Sequence, residues 1–229
     1  MILKCLSTGS KANCYILKRD NGEMLILDAG LPINEIKKGI EFNVGNLKGS
    51  IISHFHSDHS LSAEKLKQLT PVWQPYLSEA KRQHTHLGEF DIQCFDLPHN
   101  SVENRGFIIR VDGQTILYAT DYEYIPYNLS SQNIDTMLIE LNYQEENIED
   151  DLDNHKSHIV LGHASERVVI DILKQNVKNL RNVILCHMSN SGNLNRDLAM
   201  ERVKAALPDW VNVVYARAGR NYDISLCPF

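Results

Sequence analysis

Short apolar runs separated by polar turns fill the start of the chain. Residues 2–6, 14–18 and 24–28 are rich in leucine, isoleucine and other apolar side chains, and each run is long enough for a β-strand. The stretches 8–13 and 19–22 between them carry the glycine and asparagine residues that turns require. This pattern predicts three consecutive strands joined by short turns.

Apolar runs predict further strands along the rest of the chain. The runs at 106–111 and 114–119 flank Asp112-Gly113, a dipeptide that favours a two-residue turn between antiparallel strands. The other predicted strands are 44–53, 90–97, 135–141, 183–186, 211–215 and 221–226, with a short strand or loop at 71–76.

Helical periodicity separates many of these strands. In residues 165–177 the apolar side chains share one face of a helix. Ser60 has the residue type of a helix N-cap and precedes an amphipathic stretch over residues 61–69. Hairpins followed by alternating strands and helices predict an α/β domain with helices outside two sheets. The other predicted helices are 32–40, 79–86 and 194–207, and the acidic stretch 145–153 is predicted as a helix or a lid.

Length and composition are typical of a soluble globular protein. The 229 residues, of which 43% are hydrophobic and 23% charged, suit one domain over residues 1–229 with a sizeable core. No signal peptide or membrane-spanning run is evident, and the five cysteines show no C-x-x-C spacing, so the reducing cytoplasm is the expected location. A net charge of −6 argues against a large basic face for nucleic acid, although bound cations would neutralise part of it.

The densest polar motif follows the predicted strand at 44–53. It contains His54, His56, Asp58 and His59 within six residues. Alternate residues of an extended loop point the same way, so the first two histidines can bind one metal ion. After the bend, the aspartate and the third histidine can serve a second ion, because imidazole and carboxylate suit zinc and related divalent ions. Such a loop cannot complete either ligand set, so further ligands are expected from other strand ends.

Four more candidates stand where predicted strands end. Asp28 ends the run LILD, His99 follows FDLP, Asp121 ends ILYATD and His187 follows VILC. Loops that leave strand ends can converge at one rim, which would bring these side chains to the histidine-rich loop. Any one of them alone is more often structural, but together with the motif they predict a metal centre.

The order of these residues resembles the five-motif set of the metallo-β-lactamase superfamily. The resemblance implies an αββα four-layer sandwich, in which two mixed β-sheets are flanked by helices. It also implies two divalent metal ions, with Zn²⁺ the first choice and Mn²⁺ the alternative. Asp28 would hold the histidine-rich loop by hydrogen bonds. The implied ligands are His54, His56 and His99 for one ion, Asp58, His59 and His187 for the other, and Asp121 with a hydroxide as the bridge between them.

Other blocks of the sequence resemble one group within the superfamily, the WalJ/YycJ-type proteins. These blocks are LSTGSKANC at 6–14, LDAGL at 27–31, GHAS at 162–165 and CHMS at 186–189. The group is described as exonuclease-like hydrolases and is similar to tRNase Z. The resemblance therefore implies a metal-dependent hydrolase that acts on nucleic acid.

Asp121 narrows the implied chemistry. True β-lactamases lack a bridging aspartate at this place, whereas the glyoxalase II and nuclease branches have one, which favours phosphodiester or thioester hydrolysis. Glu140 ends the run TMLIE, and His163 lies in the GHAS block before a predicted helix. In tRNase Z-like enzymes a glutamate and a histidine at similar places cooperate to protonate the leaving oxygen. The predicted catalytic residues are Asp58, Glu140 and His163.

The leading hypothesis is a phosphodiesterase that hydrolyses nucleic acid in an exonuclease-like manner. Two cations about 3.5–4 Å apart lower the pKa of a shared water and clamp the oxygens of an in-line displacement. A substrate phosphate is expected on backbone N–H groups near residues 8–12 or 189–193, with Arg220 as a further candidate contact. The predicted substrate contacts are Ser10, Lys11, Ser189 and Asn190.

Alternative functions stay open. The chain lacks the long arm with which tRNase Z grips tRNA, which leaves room for a small substrate such as a cyclic mononucleotide, as cleaved by phage anti-Pycsar enzymes. A glyoxalase II-like thioesterase would not need Glu140 and His163. A non-catalytic metal-dependent sensor is disfavoured, because every motif position is filled. The expected partner is a nucleic acid or a nucleotide and not a membrane, and a homodimer is considered.

A second H-x-H, His84-Thr85-His86, repeats the spacing of His54 and His56. No Asp-His pair follows it. It is therefore interpreted as part of a surface helix rather than as a metal site.

Overall fold

Most of a six-stranded β-sheet comes from the first third of the chain. The computed structural model describes residues 1–148, 159–189 and 193–226. The strands of this sheet are β1 (Ile2–Ser7), β2 (Cys14–Lys18), β3 (Met24–Leu27), β4 (Leu47–Ile51), β5 (Val72–Trp73) and β13 (Arg220–Asp223). Their order across the sheet is β13-β1-β2-β3-β4-β5. The pairs β3–β4 and β4–β5 are parallel, and the other pairs are antiparallel.

The second sheet has seven strands and is also mixed. Its strands are β6 (Gln83–Leu87), β7 (Phe90–Leu97), β8 (Asn104–Val111), β9 (Gln114–Ala119), β10 (Thr136–Glu140), β11 (Asn182–Cys186) and β12 (Asn212–Tyr215). Their order is β12-β11-β10-β9-β8-β7-β6. Strands β6 to β9 pair antiparallel, and β9 to β12 pair parallel. The β8–β9 pair is the hairpin that Asp112-Gly113 predicts.

The helices are short. They are α1 (Ile33–Gly39), α2 (Ser57–Ser60), α3 (Ala63–Leu66), α4 (Glu166–Gln175) and α5 (Arg196–Ala205). Residues 159–162 are also helical, and single 3₁₀ turns occur at Val44–Asn46, Pro75–Leu77, Ser130–Gln132 and Glu145–Asn147. Within the described ranges, none of the helices has the length and apolar character needed to span a membrane.

Alternating side chains along each strand divide the interior into three apolar layers. Leu25 of β3 points between the sheets, where Tyr118 and Leu138 of the second sheet pack, whereas Ile26 points to the opposite face beside Ile36 of α1. On the far side of the second sheet, a third layer packs α4 and α5 against β10 and β11. Successive strand residues face opposite sides, so both sheets bury two faces. The predicted four-layer αββα sandwich is confirmed.

The predicted helix at 79–86 is wrong. Residues 83–87 form β6, which pairs antiparallel with β7, and their exposure alternates with a period of two. Leu87 pairs with Phe90 across Gly88-Glu89, and Gly88 has a φ of +60°. A glycine at that position allows a two-residue hairpin turn, which explains why the segment is a strand.

The predicted helix after Ser60 is also wrong. The chain forms two single turns, α2 and α3, instead of one amphipathic helix capped by Ser60. The Ala29 N–H donates to His59 O at 2.7 Å, and Ser62 N–H donates to Ala29 O at 2.9 Å. These bonds to the loop after β3 replace helical bonds and interrupt the helix.

The acidic stretch 145–153 is only partly described. Its first three residues, Glu145–Asn147, form a 3₁₀ turn rather than an α-helix. Residues 149–153 lie outside the described residues, so the predicted lid stays a prediction.

Parallel strands give the fold a common rim. The carboxyl ends of β3 and β4 lie side by side in the first sheet, and those of β9, β10 and β11 lie side by side in the second. Loops leaving the same end of parallel strands project from the same edge, where ligands in such sheets usually bind. The candidate residues that follow these five strands are therefore brought to one edge.

Candidate metal centre

Three histidines form the first half of the site. His54 and His56 lie on the loop after β4, and His99 follows β7. His56 Nδ1 lies 3.0 Å from His54 Nε2 and 3.4 Å from His99 Nε2, so three ring nitrogens converge. The opposite nitrogens are held in place: His99 Nδ1 donates to Gly162 O at 2.7 Å, and His54 Nδ1 lies 3.0 Å from Ser53 Oγ. These contacts leave the converging nitrogens as the lone-pair donors that a metal ion needs.

The second half of the site contains Asp58, His59 and His187. Their ligand atoms all lie within 4.8 Å of one another, as do those of the first three histidines. His59 Nε2 is 3.3 Å from Asp58 Oδ2, and its Nδ1 contacts Asp28 Oδ2 at 2.7 Å. Each half therefore has the size and ligand types of a site for a divalent ion.

Asp121 lies between the two halves. Its Oδ2 is 2.6 Å from His59 Nε2 and 3.8 Å from His54 Nε2, and its Oδ1 is 2.9 Å from His187 Nδ1. A single carboxylate thus faces ligands of both sets. This arrangement suits a bridging ligand, the role that the sequence predicts.

Unsatisfied polar atoms support binding of a metal ion. Both carboxylate oxygens of Asp121 and Nε2 of His187 are buried, and among the described residues none of these atoms has a hydrogen-bond partner of suitable geometry. The histidine contacts to Asp121 are short but do not have good hydrogen-bond geometry. Buried polar groups are otherwise almost always paired. A divalent cation would supply the missing partner, so the residues present fit such an ion.

Asp28 forms hydrogen bonds to the histidine-rich loop, in the position that the superfamily resemblance implies for it. Its carboxylate accepts hydrogen bonds from the Ser53 N–H at 2.7 Å, from Ser53 Oγ at 2.9 Å and from the Tyr118 hydroxyl, and it contacts His59 Nδ1. Asp28 itself is fully buried. The contact with His59 selects the tautomer whose Nε2 can bind a metal ion.

Backbone strain occurs at three of the candidate residues. Asp28, Asp121 and His187 have φ values of 56°, 52° and 47°, in the left-handed region that non-glycine residues seldom adopt. Each of the three stands just after a strand that reaches the common rim. Such conformations cost on the order of 1 kcal/mol and concentrate at functional sites, where the chain must turn a side chain toward a shared point.

Glu140 and His163 lie against the candidate metal ligands. His163 Nδ1 is 2.7 Å from Glu140 Oε1 and 3.2 Å from Asp121 Oδ1. The same Glu140 oxygen lies 2.8 Å from His187 Nδ1, a contact that the sequence does not predict. The structure thus brings the predicted pair together and adds that Glu140 also positions a candidate ligand.

The electrostatic field of the site differs between its two halves. Burial, followed by the charge of His59, holds the pKa of His54 well below its usual value, and burial lowers the pKa of His99. Burial also opposes protonation of His163 and His187. The carboxylates of Asp121 and Glu140 outweigh it there and raise the pKa of His163 to about 10 and that of His187 to about 9. Without cations, the side of the site near Glu140 is therefore dominated by negative charge.

The predicted substrate contacts that the structure describes lie outside the buried centre. Ser10 and Lys11 are exposed on the turn after β1, and Ser189 is half-buried after His187. Arg220 is exposed in β13, on the edge strand of the first sheet. Asn190 lies outside the described residues. None of the described ones is buried in the centre, so their roles stay predictions.

A cavity lined by both polar and apolar side chains adjoins the centre on the His187 side. Thr8 Oγ1 accepts a hydrogen bond from the His187 N–H at 3.0 Å, which ties the turn after β1 to the candidate ligand. Arg196 donates to the carbonyls of Met188 and Ser189, at 3.2 and 3.1 Å. The cavity has a volume of about 400 Å³ and is lined by Thr8, Met188, Arg196, Asp197, Tyr215, Ala216, Arg217 and Ala218.

Several supporting residues are missed by the sequence analysis. Asn13 is buried and places Nδ2 2.9 Å from His59 Nε2, and Asn142 donates to Glu140 Oε1 at 3.1 Å and to His187 O at 3.0 Å. Asn13 belongs to the block at 6–14, so that resemblance offered a signal. Tyr118 lies in the middle of a strand, and nothing in its local sequence indicates the hydrogen bond to Asp28.

Comparisons with known proteins agree with this geometry. The profile of the metallo-β-lactamase superfamily matches residues 7–127. The exodeoxyribonuclease WalJ of Streptococcus pneumoniae is 26% identical over 168 residues, and the match covers 62% of this chain and 62% of that relative. The chain thus matches less than two thirds of the relative's length.

Solved structures share the fold over nearly the whole chain. YhfI of Bacillus subtilis, a metallo-β-lactamase fold protein, has a TM-score of 0.71 at 18% identity and covers 97% of this chain and 99% of its own. The short form of human tRNase Z has a TM-score of 0.67 at 14% identity, and the match covers 99% of this chain and 100% of the tRNase Z chain.

Fold, site and profile lead to the same conclusion. The profile match spans more than half of the 229 residues, and the described His and Asp side chains form the ligand sets that the fold carries at this rim. The chain therefore belongs to the metallo-β-lactamase superfamily.

Proposed function

We propose that this protein is a metal-dependent hydrolase, namely a dinuclear phosphodiesterase that cleaves nucleic acid from an end, in the manner of an exonuclease. The observation that carries the proposal is the pair of His163 and Glu140, 2.7 Å apart and in contact with Asp121. An imidazole held beside a metal centre by a carboxylate suits protonation of a poor leaving group. The alkoxide released from a phosphodiester is such a group.

The relatives support a nucleic acid as the substrate. WalJ is named as an exodeoxyribonuclease, and tRNase Z acts on tRNA according to its name. The cavity beside His187 contributes Arg196 and Arg217, whose guanidinium groups suit phosphate oxygens. A thioester carries no such negative charge near the reacting carbon, so these arginines favour a phosphodiester.

The ligand sets assign the metal ions to residues. His54, His56 and His99 would hold one ion, Asp58, His59 and His187 the other, and Asp121 would contact both. Zn²⁺ suits these His and Asp ligands best, and Mn²⁺ is an alternative. When bound, the two ions supply an activated water and positive charge for the non-bridging phosphate oxygens.

Side chains of the protein donate the proton, orient the water and bind the substrate phosphate. His163 donates a proton from Nε2 to the leaving oxygen, while Glu140 holds Nδ1 and stabilises the imidazolium. Asp58, whose side chain is 24% exposed, reaches the cleft and orients the attacking water by accepting a hydrogen bond. Arg196 and Arg217 hold the phosphate of the neighbouring nucleotide, together with Ser10, Lys11 and Ser189 on the adjoining turns.

His163→Ala tests the assignment of the proton donor. Removal of a general acid lowers turnover by roughly 10²- to 10⁴-fold, but only where the leaving group needs a proton. We expect a loss of this size on a DNA oligonucleotide and a much smaller loss on bis-p-nitrophenyl phosphate, because nitrophenolate leaves as a stable anion. Metal content, measured on the same preparations, should stay at the wild-type level.

Two outcomes contradict this role. Full turnover of DNA by metal-loaded His163→Ala excludes His163 as the proton donor. Equal losses on both substrates, with reduced metal content, assign His163 to metal binding instead. Asp58→Ala serves as the comparison variant, because it should lose activity on both substrates together with bound metal.

The substrate class is tested with a panel in Zn²⁺ and in Mn²⁺. The panel contains single-stranded DNA, duplex DNA, RNA, a cyclic mononucleotide and a thioester. Progressive shortening of an end-labelled strand supports the proposal. Hydrolysis of the cyclic mononucleotide or of the thioester alone overturns it.

A further inference from the structure

A second cluster of side chains that could bind a metal ion lies on the free edge of the seven-stranded sheet, away from the common rim. We propose that His84, His86 and Asp91 form an additional metal site, which takes a divalent transition-metal ion such as Zn²⁺. This site is independent of the proposed catalytic activity.

The register of the sheet places the three side chains on one face. His84 and His86 are two residues apart in β6, so both point to the same side. β7 pairs antiparallel with β6, and Asp91 stands directly opposite His86, diagonal to His84. Cross-strand neighbours of this kind are close enough for their side chains to share one ligand.

The ligand atoms converge as the register predicts. His84 Nε2 contacts Asp91 Oδ1, and His86 Nε2 lies 3.9 Å from the same oxygen. The two imidazole rings meet edge to face, with centroids 4.6 Å apart, and the three candidate ligand atoms lie within 4.8 Å of one another. A His84–Asp91 ion pair alone would not need the second imidazole at the same oxygen, whereas a metal ion uses all three.

Exposure makes the site accessible. The side chains of His84, His86 and Asp91 are 46%, 63% and 35% exposed, so an ion can enter directly from solvent. Imidazole and carboxylate together select borderline divalent ions such as Zn²⁺, Ni²⁺ and Cu²⁺. Three protein ligands leave a coordination position for water, as in open zinc sites.

The site is well separated from the catalytic rim. Asp91 is the second residue of β7, and His99 lies beyond the opposite end of that strand. Six residues from Asp91 to Leu97 span roughly 20 Å along a strand. An ion here cannot take part in the proposed hydrolysis, but it would clamp the edge strand β6 to β7 and stabilise the folded state.

Zinc content measures the site directly. The wild type, the double variant His84→Ala/His86→Ala and Asp91→Asn are dialysed against excess Zn²⁺, and the metal is counted by mass spectrometry. We expect about one Zn²⁺ per chain fewer in the double variant, because two of three ligands are gone. Gln93→Ala is the matched control, since Gln93 is exposed and pairs with His84 across the strands.

Retention on immobilised Ni²⁺ gives a second readout that buried ligands cannot supply. The untagged wild type and Gln93→Ala should be retained, and the double variant should elute earlier. Asp91→Asn keeps both histidines and should elute between the wild type and the double variant. This variant still tests the site if the double variant folds poorly. Equal zinc contents or equal retention of the wild type and the variants overturns the site.

Discussion

Asp28 shows how much one buried carboxylate contributes to this centre. It accepts three hydrogen bonds from Ser53 and Tyr118 and fixes the tautomer of His59. Because the donors are buried too, none of them can turn to water when the carboxylate is removed. The metal ligands and the stability of the loop therefore depend on the same side chain.

Asp28→Ala should weaken both stability and metal binding. Unpaired buried donors cost about 1–3 kcal/mol each, so we expect a loss of several kcal/mol in the free energy of unfolding. Loss of the contact to His59 should lower metal affinity by roughly 10- to 100-fold. Urea unfolding and equilibrium dialysis with Zn²⁺ measure the two effects.

Tyr118→Phe is the matched control for Asp28. It removes one hydrogen bond but keeps the carboxylate and its contact to His59, so it should cost about 1 kcal/mol and leave zinc affinity nearly unchanged. An equal loss of metal affinity in both variants would contradict the role assigned to Asp28.

At the residue scale, the sequence predicts candidate ligands wherever the neighbouring residues in the chain carry a pattern. His54, His56, Asp58 and His59 stand in one loop, and Asp28, Asp121 and His187 follow apolar runs. Their place at strand ends is local information. The contacts of Asn13, Tyr118 and Asn142 depend on how distant strands pack, and no local pattern contains that information.

At the scale of elements, the loop after β3 packs at Gly30 against the loop that carries Asp58 and His59. A Cβ at this position would lie 1.7 Å from Asp58 O and 2.9 Å from Asn13 N, so any side chain collides with backbone. The same loop exchanges hydrogen bonds with residues 59 and 62, which interrupts the helix after the metal motif. The absence of a side chain at Gly30 therefore sets the position of Asp58.

Gly30→Ala should be severely destabilising. The clash is with backbone and cannot be relieved by a rotamer change, so we expect a loss of about 3 kcal/mol or more, together with reduced zinc content. Gly45→Ala is the control, because its nearest neighbour would be 3.9 Å from the new Cβ. Similar urea midpoints for the two variants would show that the loop can move aside.

Elements were predicted where local chemistry decides them. The hairpin at Asp112-Gly113 and the strands β2, β7 and β9 follow from turn residues and apolar runs. The helix predicted at 79–86 was wrong, because the apolar pattern there is weak and pairing with β7 makes residues 83–87 a strand. The helix after Ser60 failed because hydrogen bonds from the loop at Gly30 replace those of a helix.

At the scale of the whole molecule, we expect metal binding and the stability of the fold to depend on each other. The buried carboxylates of Asp121 and Glu140 both lie within 3 Å of His187 Nδ1, and both oxygens of Asp121 lack a hydrogen-bond partner among the described residues. Ions that bind the folded chain but not the unfolded one stabilise it by an amount that grows with the logarithm of their affinity.

Chelation should therefore lower the melting temperature. A free metal concentration of 100 times the dissociation constant adds about 2.7 kcal/mol to the free energy of unfolding. For a chain of this size, this corresponds to a rise of roughly 5–10 °C in melting temperature. Differential scanning calorimetry with and without EDTA measures the shift. Asp121→Ala, which lacks the shared ligand, should show a much smaller shift, and an equal shift would assign the stabilisation to other ions.

The four-layer architecture follows from the order of strands and helices, but the assignment of strands to the two sheets does not. β13 joins β1 in the first sheet although the strands before it belong to the second. Such pairing is decided by long-range packing. The expectation that residues 1–229 form one domain stays a prediction, as does the homodimer.

The pairing of β13 with β1 also has a consequence for the order of folding. Met1 and Ser225 are hydrogen-bonded although they stand 224 positions apart, and Thr8 meets His187 across 179. Contacts of such long range form slowly, because the loop-closure entropy must be overcome first. During synthesis, the first sheet stays incomplete until its last strand leaves the ribosome. Gly162, which holds His99, and His187 of the second ligand set are also synthesised late, so we expect tight metal uptake towards the end of folding and not at its beginning.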